Sequence, residues 1–259
     1  MATRVGVLMG QDAQARLIRV RPLGRLHALW GVIATLLVVL YTAILAPVAA
    51  VVAFYNHGHP VTIVARIWTW LIFRTSAVTI DLRGLENLAG LDSFVMVANH
   101  QSFFDIFAIL RIIPREVRFI AKRELTRIPV FGFAMRKSGN IIVDRKSGGQ
   151  AIRRSLSAVQ HGYSICVFAE GKRYLDNRVH QFEEGAAWLA IATQLPCVPA
   201  AISGTHAIMP RGAKFVVPGR TMRISLGKPI PTHGLKGSDR KELTRELEAR
   251  VQALFVPEL

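Results

Sequence analysis

The sequence predicts an α/β fold: a mostly parallel sheet flanked by helices, with an N-terminal hydrophobic helical hairpin. Three observations predict it. From Thr79 onward, short apolar strand-like runs alternate with segments of helical periodicity, the pattern of strands joined through crossover helices. Before that point, Ala28–Tyr55 runs 28 residues without a charge. Finally, the block Asn99-His100-Gln101-Ser102-Phe103-Phe104-Asp105 places a histidine where an apolar strand ends and helical spacing begins, a position where α/β folds gather chemistry.

Residues 1–27 carry Arg4, Arg16, Arg19, Arg21 and Arg25 against one acid, Asp12. The uncharged run that follows exceeds the roughly 7–15 residues of a signal-peptide core and reaches the ~20 that a membrane helix needs. Pro47 is expected to kink or end that helix, and the leading arginines to stay on the cytoplasmic side. After the polar turn Asn56-His57-Gly58-His59-Pro60, a second apolar segment, Val61–Val78, contains Trp68, Trp70 and Phe73 but also Arg66 and Arg74. Aromatics mixed with arginines suit an interfacial helix. Residues 28–78 are therefore read as a membrane-anchoring hairpin, spanning the bilayer or dipping into one leaflet. His57 and His59 lack further ligands and read as a solvated turn; no metal site is expected.

Residues 79–259 form the α/β domain. Its predicted strands are Ser93–Ala98, Val117–Ala121, Asn140–Val143, Ser164–Phe168, Cys197–Ile202, Lys214–Val217 and Thr221–Leu226. Helical faces run through Gly149–Gln160 (Ile152, Leu156, Val159, with Gly162 as a stop), Gly185–Gln194, and Asp239–Phe255 (Leu243, Leu247, Val251, Leu254), the last with Ser238 as its cap.

Bulk composition narrows the function. Among 259 residues 51% are hydrophobic and the net charge is +16, with a mean hydropathy of +0.31 and a pI near 11.0. A basic balance suggests nucleic acid or an anionic membrane surface. The apolar excess favours the membrane, and no nucleic-acid-binding motif is present. Cys166 and Cys197 lie in separate apolar runs, form no CxxC and have no flanking base. They read as buried reduced thiols.

His100 and Asp105 lie five residues apart. On one continuous helix they would point about 140° from each other; they meet only if His100 occupies the lead-in and Asp105 the first turn. Ser102 followed three residues later by an acid is a capping-box-like start. One reading makes Asp105 a helix cap and His100 a polar lid on the strand. The other makes the carboxylate orient the imidazole, leaving the second ring nitrogen to take a proton from a hydroxyl. The pair alone does not choose between them.

Further clusters fall at strand ends. Gly139–Arg145 is a strand that delivers Arg145, suited to bidentate capture of phosphate or carboxylate. Val167–Arg173 ends an apolar strand in Glu170, Gly171, Lys172 and Arg173, where glycine admits close backbone approach and the bases complement an anion. Phe182–Ala186 leads into a helix, and Val198-Pro199-Ala200 lies in the next strand.

Taken in order, these blocks resemble the glycerolipid acyltransferase family, nearest to its lysophosphatidic acid (1-acylglycerol-3-phosphate) acyltransferases. Asn99–Asp105 matches the His-x4-Asp block and Gly139–Arg145 the second. Phe168-Ala169-Glu170-Gly171-Lys172-Arg173 matches the usual Phe-Pro-Glu-Gly-Thr-Arg, and Val198-Pro199-Ala200 the fourth. Phe119–Leu125, Ile128–Gly132 and Ile224–Ile230 are similar too, so the likeness covers roughly residues 80–232. Ala169 stands for the usual proline and Lys172 for the usual threonine, which adds a positive charge beside the expected phosphate site.

The resemblance implies acyl transfer from a thioester, acyl-CoA or acyl carrier protein, to the hydroxyl of a lysophospholipid. His100 would be the general base and Asp105 its orienting group. Arg145, Arg173, Lys122 and Lys172 would hold the phosphate, with Glu170 and Gly171 shaping the loop. Backbone N–H groups after His100 are expected to stabilise the oxyanion. No cofactor or metal is implied, and the expected location is the cytoplasmic side of the inner membrane. Rival readings keep the chemistry with a lyso-ornithine lipid or lysocardiolipin acceptor, or make the chain a non-catalytic membrane-binding protein. A hydrolase lacks support, because there is no Gly-x-Ser-x-Gly elbow.

Overall fold

The computed structural model describes residues 24–53, 59–127, 131–137, 139–143 and 148–259. Helix α1 (Arg25–Val52) and helix α2 (His59–Ser76) precede strand β1 (Thr79–Arg83). Then come β2 (Val95–Ala98), α3 (Phe103–Ile112), β3 (Val117–Lys122), α4 (Phe131–Lys137), β4 (Ile141–Val143), α5 (Gly148–Gln160) and β5 (Ser164–Phe168). The chain closes with α6 (Gly185–Thr193), β6 (Cys197–Ser203), β7 (Thr221–Leu226) and α7 (Arg240–Leu254).

The seven strands form one sheet in the order β1-β7-β6-β2-β5-β3-β4. All neighbours are parallel except β6 and β7. The C-terminal ends of β6, β2, β5, β3 and β4 therefore open on one edge of the sheet, where ligands of α/β sheets bind. The central strands are buried on both faces, which is why they read as unbroken apolar runs. Phe94, Met96 and Ala98 pack under Phe104, Ala108 and Ile109 of α3 and Ile72 and Phe73 of α2. On the other face Val95, Val97, Ile165 and Val167 pack under Ala187 and Leu189 of α6 and Leu243, Leu247 and Val251 of α7.

The hairpin divides its labour. Trp30 Nε1 donates to Thr75 O at 2.8 Å and Trp68 Nε1 to Thr42 Oγ1 at 3.0 Å, clamping α1 along α2. Helix α1 is long and apolar enough to cross a membrane, and only 11% of its most apolar window is buried. Leu29, Ile33, Leu36, Leu40, Ile44 and Val51 stand exposed; moving such a side chain from water into hydrocarbon contributes about 1.5–3 kcal/mol. Pro47 does not end the helix, which continues to Val52.

Several expectations need correction. Helix α2 is more than interfacial: its Ile63, Ile67 and Trp70 are exposed, but Thr69, Ile72, Phe73 and Ser76 are buried. The arginine that suggested an interface has a structural partner, since Arg66 Nη2 donates to Ile113 O at 3.0 Å at the end of α3. Residues 214–217 are not a strand; the Val216 N–H donates to Thr35 Oγ1 of α1 at 3.0 Å instead of to a ladder. The edge strand β1 went unanticipated because Asp81 and Arg83 interrupt its apolar pattern. Ser238 is not the cap of α7: a short turn, Gly237–Asp239, leads into it, and the Lys236 N–H donates to Asp239 Oδ2 at 2.7 Å.

If α2 is part of the core, Ile72→Ala lowers the unfolding free energy by about 3 kcal/mol, as Ile-to-Ala cavities do. Exposed Ile67→Ala changes it far less. Denaturant unfolding in a neutral detergent compares the two, and equal effects would place α2 outside the core.

Candidate active site

Strand β2 ends at Ala98, and the next residues turn across the sheet edge into α3. Asn99, fully buried, continues the pairing with its side chain: Nδ2 donates to Ile202 O at 2.9 Å and Oδ1 accepts from Ile202 N–H at 2.8 Å. Ser102 is the N-cap of α3, its Oγ accepting from the Phe104 N–H at 3.2 Å and donating to Met209 O at 2.8 Å. Asp105 lies in the first turn, fully buried. Its Oδ2 accepts from His100 Nδ1 at 2.7 Å, from the Gln101 N–H at 2.7 Å and from the Ser102 N–H at 2.9 Å.

The pair is therefore a cap and a His–Asp couple together. Because the carboxylate accepts at Nδ1, the proton rests there and Nε2 carries the lone pair. The imidazole stacks on Phe168 at the end of β5, 4.0 Å between centroids and 17° between planes. Phe168 stacks in turn on Phe119 of β3 at 6.2 Å. This apolar floor supports the ring from one side. Of the amides after His100, Gln101 and Ser102 donate to Asp105 and Phe104 to Ser102, while the N–H of His100 itself donates to Glu170.

Glu170, four per cent exposed, follows β5. Its Oε2 accepts from the His100 N–H at 2.9 Å and its Oε1 from the His180 N–H at 2.8 Å. Both oxygens thus hold the loops after β2 and β5 together. Burial pushes this carboxyl up to about 7 against the pull of the two amides. Gly171 takes a left-handed φ of 66°, which glycine adopts without strain. The Arg173 guanidinium lies 4.0 Å over the Phe103 ring, and its carbonyl accepts from Arg211 Nη1 at 3.2 Å. Partial burial lowers the Arg173 pKa, opposed by the Asp105 carboxylate, and an arginine so placed stays charged.

Lys172 is exposed, its Nζ 4.6 Å over the Tyr174 ring. Tyr174 stacks on His180 at 3.5 Å, and His180 Nε2 meets Asp176 Oδ1 at 2.6 Å. Lys122 closes β3, and Arg145 lies outside the described residues. Sequence reasoning missed Asn99 as the link to β6 and the Tyr174–His180–Asp176 group. A second histidine with an acid four residues before it was the available signal for the latter. Cys166 and Cys197 are free and buried, and burial raises both thiols, Cys197 to about 12, which leaves them unfit as nucleophiles.

Residues 79–203 match the family model described as Acyltransferase. Among its relatives, the chain is 35% identical over 171 residues to the chloroplastic 1-acyl-sn-glycerol-3-phosphate acyltransferase BAT2 of Brassica napus, covering 64% of this chain and 49% of that protein. The human 1-acyl-sn-glycerol-3-phosphate acyltransferase beta is 25% identical over 229 residues, with 85% and 82% covered. The chain spans about half the length of the plant relatives, 49% of BAT2 and 44% of Arabidopsis thaliana LPAT1. In fold it is similar to the crystal structure of the 1-acyl-sn-glycerophosphate (LPA) acyltransferase PlsC from Thermotoga maritima. The TM-score is 0.74 at 24% identity, with 88% of this chain and 95% of that one covered.

Glu170 gives a pH prediction. Its pKa rises from 4.5 to about 7 on folding, so between those values the folded chain holds a proton that the unfolded chain has lost. The stability it contributes is full below about pH 4.5 and falls by about 3 kcal/mol as pH rises through 7. Unfolding free energies measured from about pH 5 to 8 should fall more steeply in the wild type than in Glu170→Gln; parallel curves would contradict the assignment.

Proposed function

We propose that this chain transfers a fatty acyl group from a thioester to the free hydroxyl of lysophosphatidic acid, giving phosphatidic acid. The observation that carries the reading is the 2.7 Å bond from His100 Nδ1 to the buried Asp105 carboxylate, within a chain whose curated relatives are named for this acceptor. His100 Nε2 takes the hydroxyl proton as the oxygen attacks the thioester carbonyl. Asp105 stabilises the imidazolium formed. The tetrahedral intermediate then expels the thiolate, the acyl–oxygen bond remains, and the imidazolium proton passes to the sulfur. A thioester is already activated, so the step needs no covalent enzyme intermediate and no resident cofactor; coenzyme A or an acyl carrier protein brings the acyl group.

The acceptor phosphate pairs with Arg173 at the lip of the site, joined by Arg145, Lys122 and Lys172. The apolar surface of α1 sets the domain against a bilayer, and the arginines before it favour the cytoplasmic face. Lysolipid substrates then reach the strand ends from the membrane surface.

The test pairs acyl-CoA and acyl carrier protein donors with lysophosphatidic acid, a lyso-ornithine lipid and lysocardiolipin. Preferred turnover of the phosphate-free lyso-ornithine acceptor would sink the phosphate assignment. His100→Ala should lower kcat by about 10²–10⁴, the usual worth of a general base, while the protein still sediments with membranes. Near-normal turnover by that variant would exclude His100 as the base.

A further inference from the structure

A second concavity lies beside β4, at the opposite side of β5 and β3 from the strand that carries His100. Three strand spacings put it about 14 Å from β2. Its volume is about 600 Å³, within the range of small-molecule sites. The turn Arg123–Arg127 and α4 form one wall and α5 the other. Arg123, Arg136, Arg154 and His161 all line it, and among the described lining residues there is no Asp or Glu.

Two of the guanidinium groups are oriented. Arg136 Nη1 donates to Thr126 O at 2.8 Å, and Arg154 Nη1 donates to Ile142 O at 2.7 Å. A guanidinium carries five N–H donors in one rigid plane, so a single anchoring bond fixes the direction of the rest. His161 Nδ1 donates to Ser157 O at 2.7 Å, which turns Nε2 away from the helix backbone. Its ring lies parallel to Tyr163, which carries the Arg118 guanidinium 3.8 Å above it. Gathering like charges in one cleft costs repulsion that a bound anion removes. Fixed guanidinium forks match the oxygens of a phosphate. Behind the α4 wall packs the apolar helix α1.

We propose that this cleft is a second binding site, for a phosphate-bearing anion, separate from the His100 site. Two sources carry that chemistry: the phosphorylated nucleotide end of coenzyme A, and the head group of an anionic phospholipid. Assigning the nucleotide to an acyl donor rests on the acyl-transfer reading. Binding itself is measured without turnover, so failure of one is distinguishable from failure of the other.

The full chain in neutral detergent is titrated calorimetrically with adenosine 3′,5′-bisphosphate in one arm. In the other it is titrated with dioctanoyl phosphatidylglycerol, using dioctanoyl phosphatidylcholine as the neutral reference. Binding in either arm names the source. Arg136→Glu with Arg154→Glu should weaken it at least about tenfold, the scale of a lost charge-assisted bond. The charge-matched pair Lys241→Glu with Arg245→Glu, exposed on α7, should leave it unchanged. Arg154→Lys keeps the charge but loses the fork, and should weaken binding several-fold even if the double variant fails to fold. Absence of binding in both arms, equal loss in the α7 control, or full affinity in Arg154→Lys overturns the proposal.

Discussion

One buried oxygen organises the strand-end site. Oδ2 of Asp105 accepts from the His100 imidazole and from two successive backbone N–H groups, at 2.7 to 2.9 Å. Three donors converge on one oxygen, and the N-terminus of α3 adds a favourable partial charge beside it. The same charge that starts the helix therefore fixes the tautomer of the histidine. Capping and orientation are not alternatives here: the turn that lets Asp105 reach back to Gln101 and Ser102 is the turn that brings the imidazole within range.

Glu170 is a different kind of carboxylate. It receives only backbone amides, one from His100 and one from His180, and its burial leaves it near 7, on the margin of ionisation. Its work is to join two loops that leave adjacent parallel strands, since β2 and β5 are neighbours with Ala98 opposite Phe168. Asn99 does the same toward β6 on the other side. The turn that holds His100 is thus tied to both flanking strands by side chains, and a ring stack through His100, Phe168 and Phe119 closes the gap toward β3.

What the sequence made legible follows from local physics. Doubly buried parallel strands appear as apolar runs, and the cap of α3 is written within four residues. Ser102 and Asp105 therefore announced their geometry. Contacts across the fold leave no such mark. Asn99 meets Ile202 across 103 positions, and nothing near either residue signals it. Edge strand β1 was hidden because Asp81 pairs with Arg83 and Arg223, so charges occupy a strand that a purely apolar test rejects. Residues 214–217 misled in the opposite direction. Phe215 and Val216 have strand-like side chains, yet Pro218 removes an N–H and Gly212 and Gly219 take left-handed turns on either side.

That misread segment connects the apolar helix to the turn that holds His100. Gly31 in α1 lets Val216 approach so closely that a Cβ would fall 2.4 Å from its carbonyl oxygen, and Thr35 Oγ1 accepts the Val216 N–H. Val217 N–H donates to Ile208 O at 2.8 Å, and the next residue, Met209, accepts from the Ser102 hydroxyl. A chain of direct contacts therefore runs from the exposed apolar helix α1, through the loop after β6, to the N-cap beside His100. Larger residues at position 31 would part α1 from this loop and disturb the cap from a distance. The packing of the hairpin therefore sets where the strand-end cleft stands relative to the apolar surface of α1, and the turn that holds His100 is braced against that helix.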